Sequence, residues 1–538
     1  MISLGIEWLK RTQNDDGGWG DTTDSPSNLS TSLLVQAALT LGQKPENAEG
    51  APERLEVYLQ RFAGETDAQR RQAICAAYHP DRTFAVPILT NLALAGLAPW
   101  EGIPPLPFEL AALPPALFRF LRLHVVSYAL PALIAVGMAL DHHRPTRNLL
   151  RRWIRSAVAD RCLKKLEVIQ PGSGGFLEAV PLTSFVAMTL MPVVGSGHPV
   201  AMAGLNFLRD AVRPDGSWPI DSDLSVWVTT AAVAALSERD GVPDGAATRD
   251  WILGAQHLRR HPYTQSAPGA WAWTDRSGGV PDADDTAGAI LALMSLGERG
   301  TSIDAAVQWL LDLQNADGGW PTFCRGWGHL PFDRSAADIT AHVLRALQAW
   351  DPRSAHRRCG HARRRGLQYL KEKMRADGSW HALWFGSQST PDHANPVVGT
   401  SRVLRALALF EPDGHCFQQG MKFLLRSQNA DGGWGAESGA PSTVEETALA
   451  LSALVGEHAG ETRAAVDRGT AFLVARIDGD NWPTPAPIGL YFARLWYGED
   501  AYPLIWTVEA LGRVLTQTGA RQSLSGRERA NARVPSGG

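Results

Sequence analysis

The chain has 538 residues, enough for two domains with cores of their own, and a formal charge of −4 that offers no footing for nucleic acid. The five cysteines lie far apart with no CxxC pair, which argues against a zinc site or disulfide framework and reads as reduced thiols in the cytosol. Tryptophan is over-used, with 19 Trp against 8 Tyr, so indole rings carry some general task in this fold.

Met1 leads straight into a helical pattern with Glu7 and Lys10, and no signal peptide is expected. Trp8-Leu9 is then followed by Gln13-Asn14-Asp15-Asp16-Gly17-Gly18-Trp19. The segment from 84 to 140 is apolar but short of the about 20 uninterrupted residues of a spanning helix. It interleaves Phe108, Leu110, Leu113, Leu117, Phe118, Phe120 and Leu121 with prolines and with Arg119 and Arg122, the pattern of a plateau lying in a membrane interface. Gly174-Gly175-Phe176 reads as a relic of the first phrase, and His198-Pro199 as a domain break, dividing the chain into 1–200 and 201–516.

The phrase returns intact at Trp309-Leu310 with Gln314-Asn315-Ala316-Asp317-Gly318-Gly319-Trp320, and at Phe423-Leu424 with Gln428-Asn429-Ala430-Asp431-Gly432-Gly433-Trp434. Weaker copies end at Trp218, Trp380 and Trp482. Each unit is an amphipathic helix, a turn that ends it, an indole and a second apolar helix. One helix pair cannot bury its own apolar face, whereas stacked pairs in a ring can. Strand signals are scarce. The fold class expected is therefore all-α, with two α/α barrel domains. In each repeat the indole is expected to cover the Gln amide and tie adjacent helices. The polar, Arg-rich stretch 517–538 is expected to be a disordered tail.

Asp282-Ala283-Asp284-Asp285-Thr286 places three carboxylates within four residues at the start of an apolar run. Acids packed this closely repel one another, and one of them tends to keep a proton at neutral pH. The same pattern also starts a helix, where an Asp caps free amides and acids suit the dipole. A proton kept in an apolar cavity can be given to an unactivated alkene.

The repeated Gln-x5-Trp phrase together with the Asp-x-Asp-Asp-Thr-Ala core resembles the class II terpene cyclases, and most closely the squalene-hopene cyclases. The likeness extends through Asp215-Gly216-Ser217-Trp218, Ser225-Val226-Trp227 and Ala337-Asp338-Ile339-Thr340-Ala341-His342. It implies protonation of a terminal alkene of squalene, or of a similar linear isoprenoid, by Asp284. Asp282 and Asp285 would flank the acid, and His342 would hydrogen-bond it. The migrating cation would meet a lining of ring faces, each worth about 2 kcal/mol when desolvated. Trp273, Trp227, Phe323, Trp434 and Tyr128 are the candidates, with Phe492 and Trp496 from the aromatic stretch 490–506 that resembles the family's C-terminal cavity wall. The resemblance implies no metal and no organic cofactor. It implies a peripheral, monotopic place on the cytoplasmic side of a membrane, with segment 84–140 as the contact, and it leaves pairing as a homodimer open.

The chain is shorter than typical squalene cyclases, which keeps a second reading in play: a drimenyl or copalyl diphosphate synthase type of cyclase, using the same acid and Mg²⁺ for the diphosphate. Two readings outside cyclisation fit less well. A protein prenyltransferase subunit needs a zinc constellation of Asp, Cys and His, and none with credible spacing is present. A non-catalytic lipid-binding relic would have no reason to keep Asp282, Asp284, Asp285 and His342.

Overall fold

The computed structural model describes residues 1–42, 51–78, 85–114, 117, 130–238, 241–262, 264–323, 331–456, 460–479, 482–490 and 495–531. The N-terminal half holds α1 (Ile2–Arg11), α2 (Leu29–Gly42), α3 (Ala51–Ala63), α4 (Asp67–Ala77), α5 (Ala85–Leu94), α6 (Leu130–His143), α7 (Leu149–Ile169), α8 (Val180–Val194) and α9 (Pro199–Asp210). Helices α2, α5, α6 and α8 pack side by side as an inner layer, and the others lie outside them.

The C-terminal half holds α10 (Ser225–Ser237), α11 (Gly245–Gly254), α12 (Ala283–Ser295), α13 (Thr301–Leu313), α14 (Ala337–Trp350), α15 (Arg357–Lys373), α16 (Pro396–Phe410), α17 (His415–Ser427), α18 (Val444–Leu454), α19 (Gly460–Ile477) and α20 (Ala501–Asn531). Here the even-numbered helices form a closed inner ring: each packs on the next, and α20 returns to α10. The odd-numbered helices lie on its outside, α13 against α15 and α17 against α19. Between α19 and α20 two short strands, β1 (Ile488–Leu490) and β2 (Leu495–Tyr497), pair antiparallel. The chain is thus almost wholly helical, built of helix pairs as its repeats require.

The repeats show how the layers are tied. Gln314 donates its amide to the carbonyls of Gly318 (2.7 Å) and Ala362 in α15 (2.9 Å), and Gln428 does the same to Gly432 (2.8 Å) and Ala465 in α19 (2.9 Å). The amide therefore links one outer helix to the next. The indole N–H turns back instead: Trp320 Nε1 donates to Leu310 O and Trp434 Nε1 to Leu424 O, both at 2.8 Å, satisfying carbonyls that the helix end leaves free. Its ring packs on the next outer helix, Trp320 on Gly366 of α15 and Trp434 on Gly469 of α19, so the indole ties the helices as expected and the Gln amide adds a second tie. Gln170 repeats the same bonds to Gly174 O and Val200 O, with Phe176 in the indole's place, so that relic is a working copy. Gly318 sits at φ 94°, and a Cβ there would lie 2.6 Å from Arg365 O, which explains the glycine.

Two expected boundaries move. Helix α9 packs on α7 and α8, while Trp8 Nε1 reaches Asp215 Oδ2 at 3.1 Å and Gly5 lies against Trp218. The break therefore falls nearer 220 than His198-Pro199. Helix α20 continues to Asn531, so the stretch from 517 is helical there rather than a tail; extending a helix already anchored by packing adds a hydrogen bond for each residue fixed. Among the described residues no helix is long and apolar enough to cross a membrane.

Candidate active site

Four inner helices begin with one local device. A threonine in the first turn accepts the backbone N–H of the repeat's indole residue: Thr286 from Trp271 (3.0 Å), Thr340 from Trp320 (3.0 Å), Thr400 from Trp380 (3.1 Å) and Thr447 from Trp434 (2.9 Å). These bonds fix the rotation of each helix. Two residues before the threonine stand Asp284, Asp338, Val398 and Glu445; two residues after it stand Gly288, His342, Arg402 and Leu449. The three carboxylates so placed are buried.

In α12 the acids divide into two kinds. Asp282 is the N-cap, its Oδ1 accepting the Asp285 N–H at 2.8 Å, so the helix-start reading is realised too. Its Oδ2 and Asp285 Oδ1 are buried with no donor from any other described residue, and the two carboxyls act directly on each other. Burial and the neighbouring Asp285 raise Asp282 well above the usual carboxylate range, and burial lifts Asp285 to about 7. Asp284 differs. Its Oδ1 lies 2.6 Å from His342 Nδ1, and its Oδ2 accepts from Arg402 Nη1 at 3.2 Å. Burial pushes the Asp284 carboxyl up, but Arg402 and then His342 more than reverse it and hold it at about 2. Burial lowers the His342 pKa, so the imidazole is neutral at rest and its Nδ1–H donates to the carboxylate. The expected shared proton therefore rests on the Asp282–Asp285 pair, and Asp284 rests ionised.

Arg402 and Asp338 were not anticipated. Asp338 lies on α14, one turn from His342; it accepts the Leu383 N–H at 3.1 Å, and burial raises it to about 6. The guanidinium of Arg402 also stands 4.5 Å from the ring of Phe385 and 5.6 Å from that of Trp227.

Of the aromatic candidates, three gather beside the acids. Trp227 lies edge-on to His342 at 6.5 Å and donates its Nε1 to Tyr502 Oη at 2.8 Å. Trp273 O accepts the N–H groups of both Val226 and Trp227, and its ring lies 6.2 Å from Phe323. Phe332, Trp384, Phe385, Tyr502 and Trp506 extend this arc; Tyr502 and Trp506 belong to the stretch 490–506 expected as a cavity wall, and the other three were not singled out from sequence. Trp434 is excluded: it is fully buried and pressed against Gly469, holding α19 to its repeat. Trp496 sits in β2, edge-on to His393 at 5.4 Å with its N–H bonded to Asp21 Oδ2 at 3.0 Å, apart from the cluster. Tyr128 and Phe492 lie outside the described residues. Among the described residues no group of three His, Cys, Asp or Glu is arranged to hold a metal ion.

A family model described as the squalene-hopene cyclase C-terminal domain matches residues 224–516, the span of the closed ring. The chain belongs to the squalene-hopene cyclase family of class II terpene cyclases. It is 25% identical to the squalene-hopene cyclase of Bradyrhizobium diazoefficiens over 96% of this chain and 87% of that protein. It is also 25% identical to enfumafungin synthase of Hormonema carpetanum over 92% of this chain, where it spans 44% of that protein's length. Among solved structures, ent-copalyl diphosphate synthase of Streptomyces platensis superposes with a TM-score of 0.62 at 19% identity, covering 94% of this chain and 91% of that one; this is a likeness of fold.

Proposed function

We propose that this cyclase takes squalene or a similar linear polyprene and closes it through cations to a polycyclic triterpene, with Asp284 as the proton donor. The observation that carries the reading is the Asp284 carboxylate held between His342 and Arg402 at the start of an inner helix, beside the arc from Trp227 to Trp506.

The Asp284 proton bonds to the terminal alkene carbon, and the π electrons leave a cation on its more substituted neighbour. The carboxylate left behind is stabilised by Arg402 and His342, which makes Asp284 a strong acid when loaded. The Asp282–Asp285 pair stores the proton beside it. Ring faces stabilise the migrating cation without trapping it. Loss of a proton at the end returns what was taken up, so the sum is an isomerisation that balances without a cofactor.

The chain docks on a membrane by this reading. Leu110, Leu113 and Leu117 of the expected segment are exposed, and Leu149, Leu150 and Trp153 at the start of α7 are more so, at 78%, 67% and 69%. Arg151, salt-bridged to Glu109 at 2.7 Å, joins the two sets. Replacing Leu149 and Trp153 by serine should lower sedimentation with anionic vesicles; unchanged binding would remove this surface.

The test of function is incubation with squalene in detergent without metal, read by gas chromatography and mass spectrometry, with Asp284→Asn alongside. Cyclic triterpene that vanishes in the variant is the expected result. Turnover of farnesyl or geranylgeranyl diphosphate with Mg²⁺ instead would replace the hydrocarbon by a prenyl diphosphate. A variant as active as the wild type would remove Asp284 as the donor.

A further inference from the structure

The axis of the C-terminal ring is polar where a closed barrel would ordinarily be apolar. One turn below the acids, a cavity of about 80 Å³ is lined by residues of all six inner helices, among them Thr230, Gly288, Leu449 and Trp506. Its charged wall is Arg345, Arg402 and Arg405 against Glu509. Two of the three guanidinium groups are spoken for. Arg402 bonds to Asp284 at 3.2 Å, and Arg405 pairs with Glu509 at 2.6 Å. Arg345, one turn below His342 on α14, makes no hydrogen bond or close ion pair with another described residue; the carboxylate that attracts it, Glu509, is already paired with Arg405. Ser401 Oγ, on the adjacent helix α16, is buried without a partner.

Glu509 thus serves two guanidinium groups at once, and a buried cation so incompletely offset is costly, because arginine does not escape the cost by losing its proton. Burial, then the neighbouring Arg405, lowers Arg345 only to about 9, so it stays charged at neutral pH. Two occupants could answer this charge. A file of water relaying protons to Asp284 fits poorly, because a wall of three guanidinium groups repels hydronium. An anion meets an incompletely offset guanidinium and an unpartnered hydroxyl in a space with room for it and a water, since about 10–15 Å³ of such space holds one water.

We propose that the ring's axis holds a small monovalent anion of halide size, bound by Arg345 and Ser401 behind the catalytic acids. The cavity shares Trp227, His342, Arg402 and Trp506 with the candidate active site, but the anion's own ligands are Arg345 and Ser401, and its binding does not depend on which isoprenoid is cyclised. Its charge offsets Arg345 and screens the acid cluster from it.

The experiment uses the whole chain with bromide as the probe. Crystals grown in sodium bromide should show an anomalous peak between Arg345 and Ser401. The unfolding midpoint should rise by about 2–4 °C when sodium bromide or chloride replaces sodium gluconate at equal ionic strength, and Arg345→Met should abolish that rise. Anomalous data without a peak in the cavity would overturn the proposal even if the variant failed to fold. An equal rise in gluconate, or an undiminished halide response in Arg345→Met, would overturn it as well.

Discussion

The resting proton can be located by the pH dependence of the rate. Asp285 titrates at about 7 and Asp284 at about 2, a gap of about five units, or roughly 7 kcal/mol in favour of the proton staying on the Asp282–Asp285 pair. The donor must be protonated, so the active form is the one present below the controlling pKa and lost as pH rises through it. If the pair supplies the proton, the rate at saturating substrate is level below pH 6, breaks near 7, and falls tenfold per unit above. Between pH 5 and pH 8 it then changes by about 11-fold. If Asp284 loads directly from bulk water, the controlling value is about 2, and the same interval changes the rate by about 1,000-fold. Initial rates of product formation at four pH values separate the two. Asp285→Asn removes the titrating member, and the break near 7 should go with it. A rate that keeps climbing tenfold per unit down to pH 5, or an Asp285→Asn enzyme with an unmoved break, would refute the stored-proton reasoning.

Arg402→Met should lower the rate about 10- to 100-fold with the fold intact, because proton transfer makes the acid cluster more negative and the substitution deletes the buried cation that offsets it; rates paired with thermal melts check this, and a variant within threefold of wild type would count against it. Glu445 is lifted to about 8, chiefly by burial, so its folded pKa exceeds its unfolded one; stability is highest at low pH and is lost as pH rises from 4.5 towards 8. Glu445→Gln keeps the carbonyl that accepts Ala486 N–H at 2.7 Å and should lose about 3 kcal/mol less than wild type between pH 5.5 and 8.5 in denaturant titrations. Gln314→Ala breaks the tie from α13 to α15 and should cost about 1–3 kcal/mol in the same titrations without changing the product pattern.

The acid cluster was legible because it sits in one short contiguous phrase whose chemistry is local, whereas the roles of Asp284 and His342 came from the resemblance of their phrases to the family's. Arg402 was not legible, because it becomes functional only when α16 takes the same rotation as α12 and α14. A signal was present all the same. Setting Thr286, Thr340, Thr400 and Thr447 in register puts His342 and Arg402 at one repeat position, and that register could have found the arginine. Phe332, Trp384 and Phe385 had no such signal: they lie in connections between repeats, where spacing carries no period. Trp434 was misjudged for the opposite reason. A strong repeat position looked available for function, but the Gly-Gly-Trp turn aims every such indole into the joint between two helices.

That register also accounts for how a helical ring of this kind acquires an acid. The position two residues before the threonine is buried at the start of four of the six inner helices, where a carboxylate accepts free amides and suits the dipole. Asp284, Asp338 and Glu445 all occupy it, yet only Asp284 is held down at about 2, while Asp338 rises to about 6 and Glu445 to about 8. Burial acts on all three in the same direction. The difference lies one turn below, where α14 and α16 supply His342 and Arg402 as hydrogen-bond partners to Asp284 alone; Asp338 feels Arg402 without a hydrogen bond from it, and Asp338 and Glu445 each accept one backbone N–H. The repeat thus provides several equivalent buried carboxyls, and the side chains facing them across the axis decide which one becomes a strong acid.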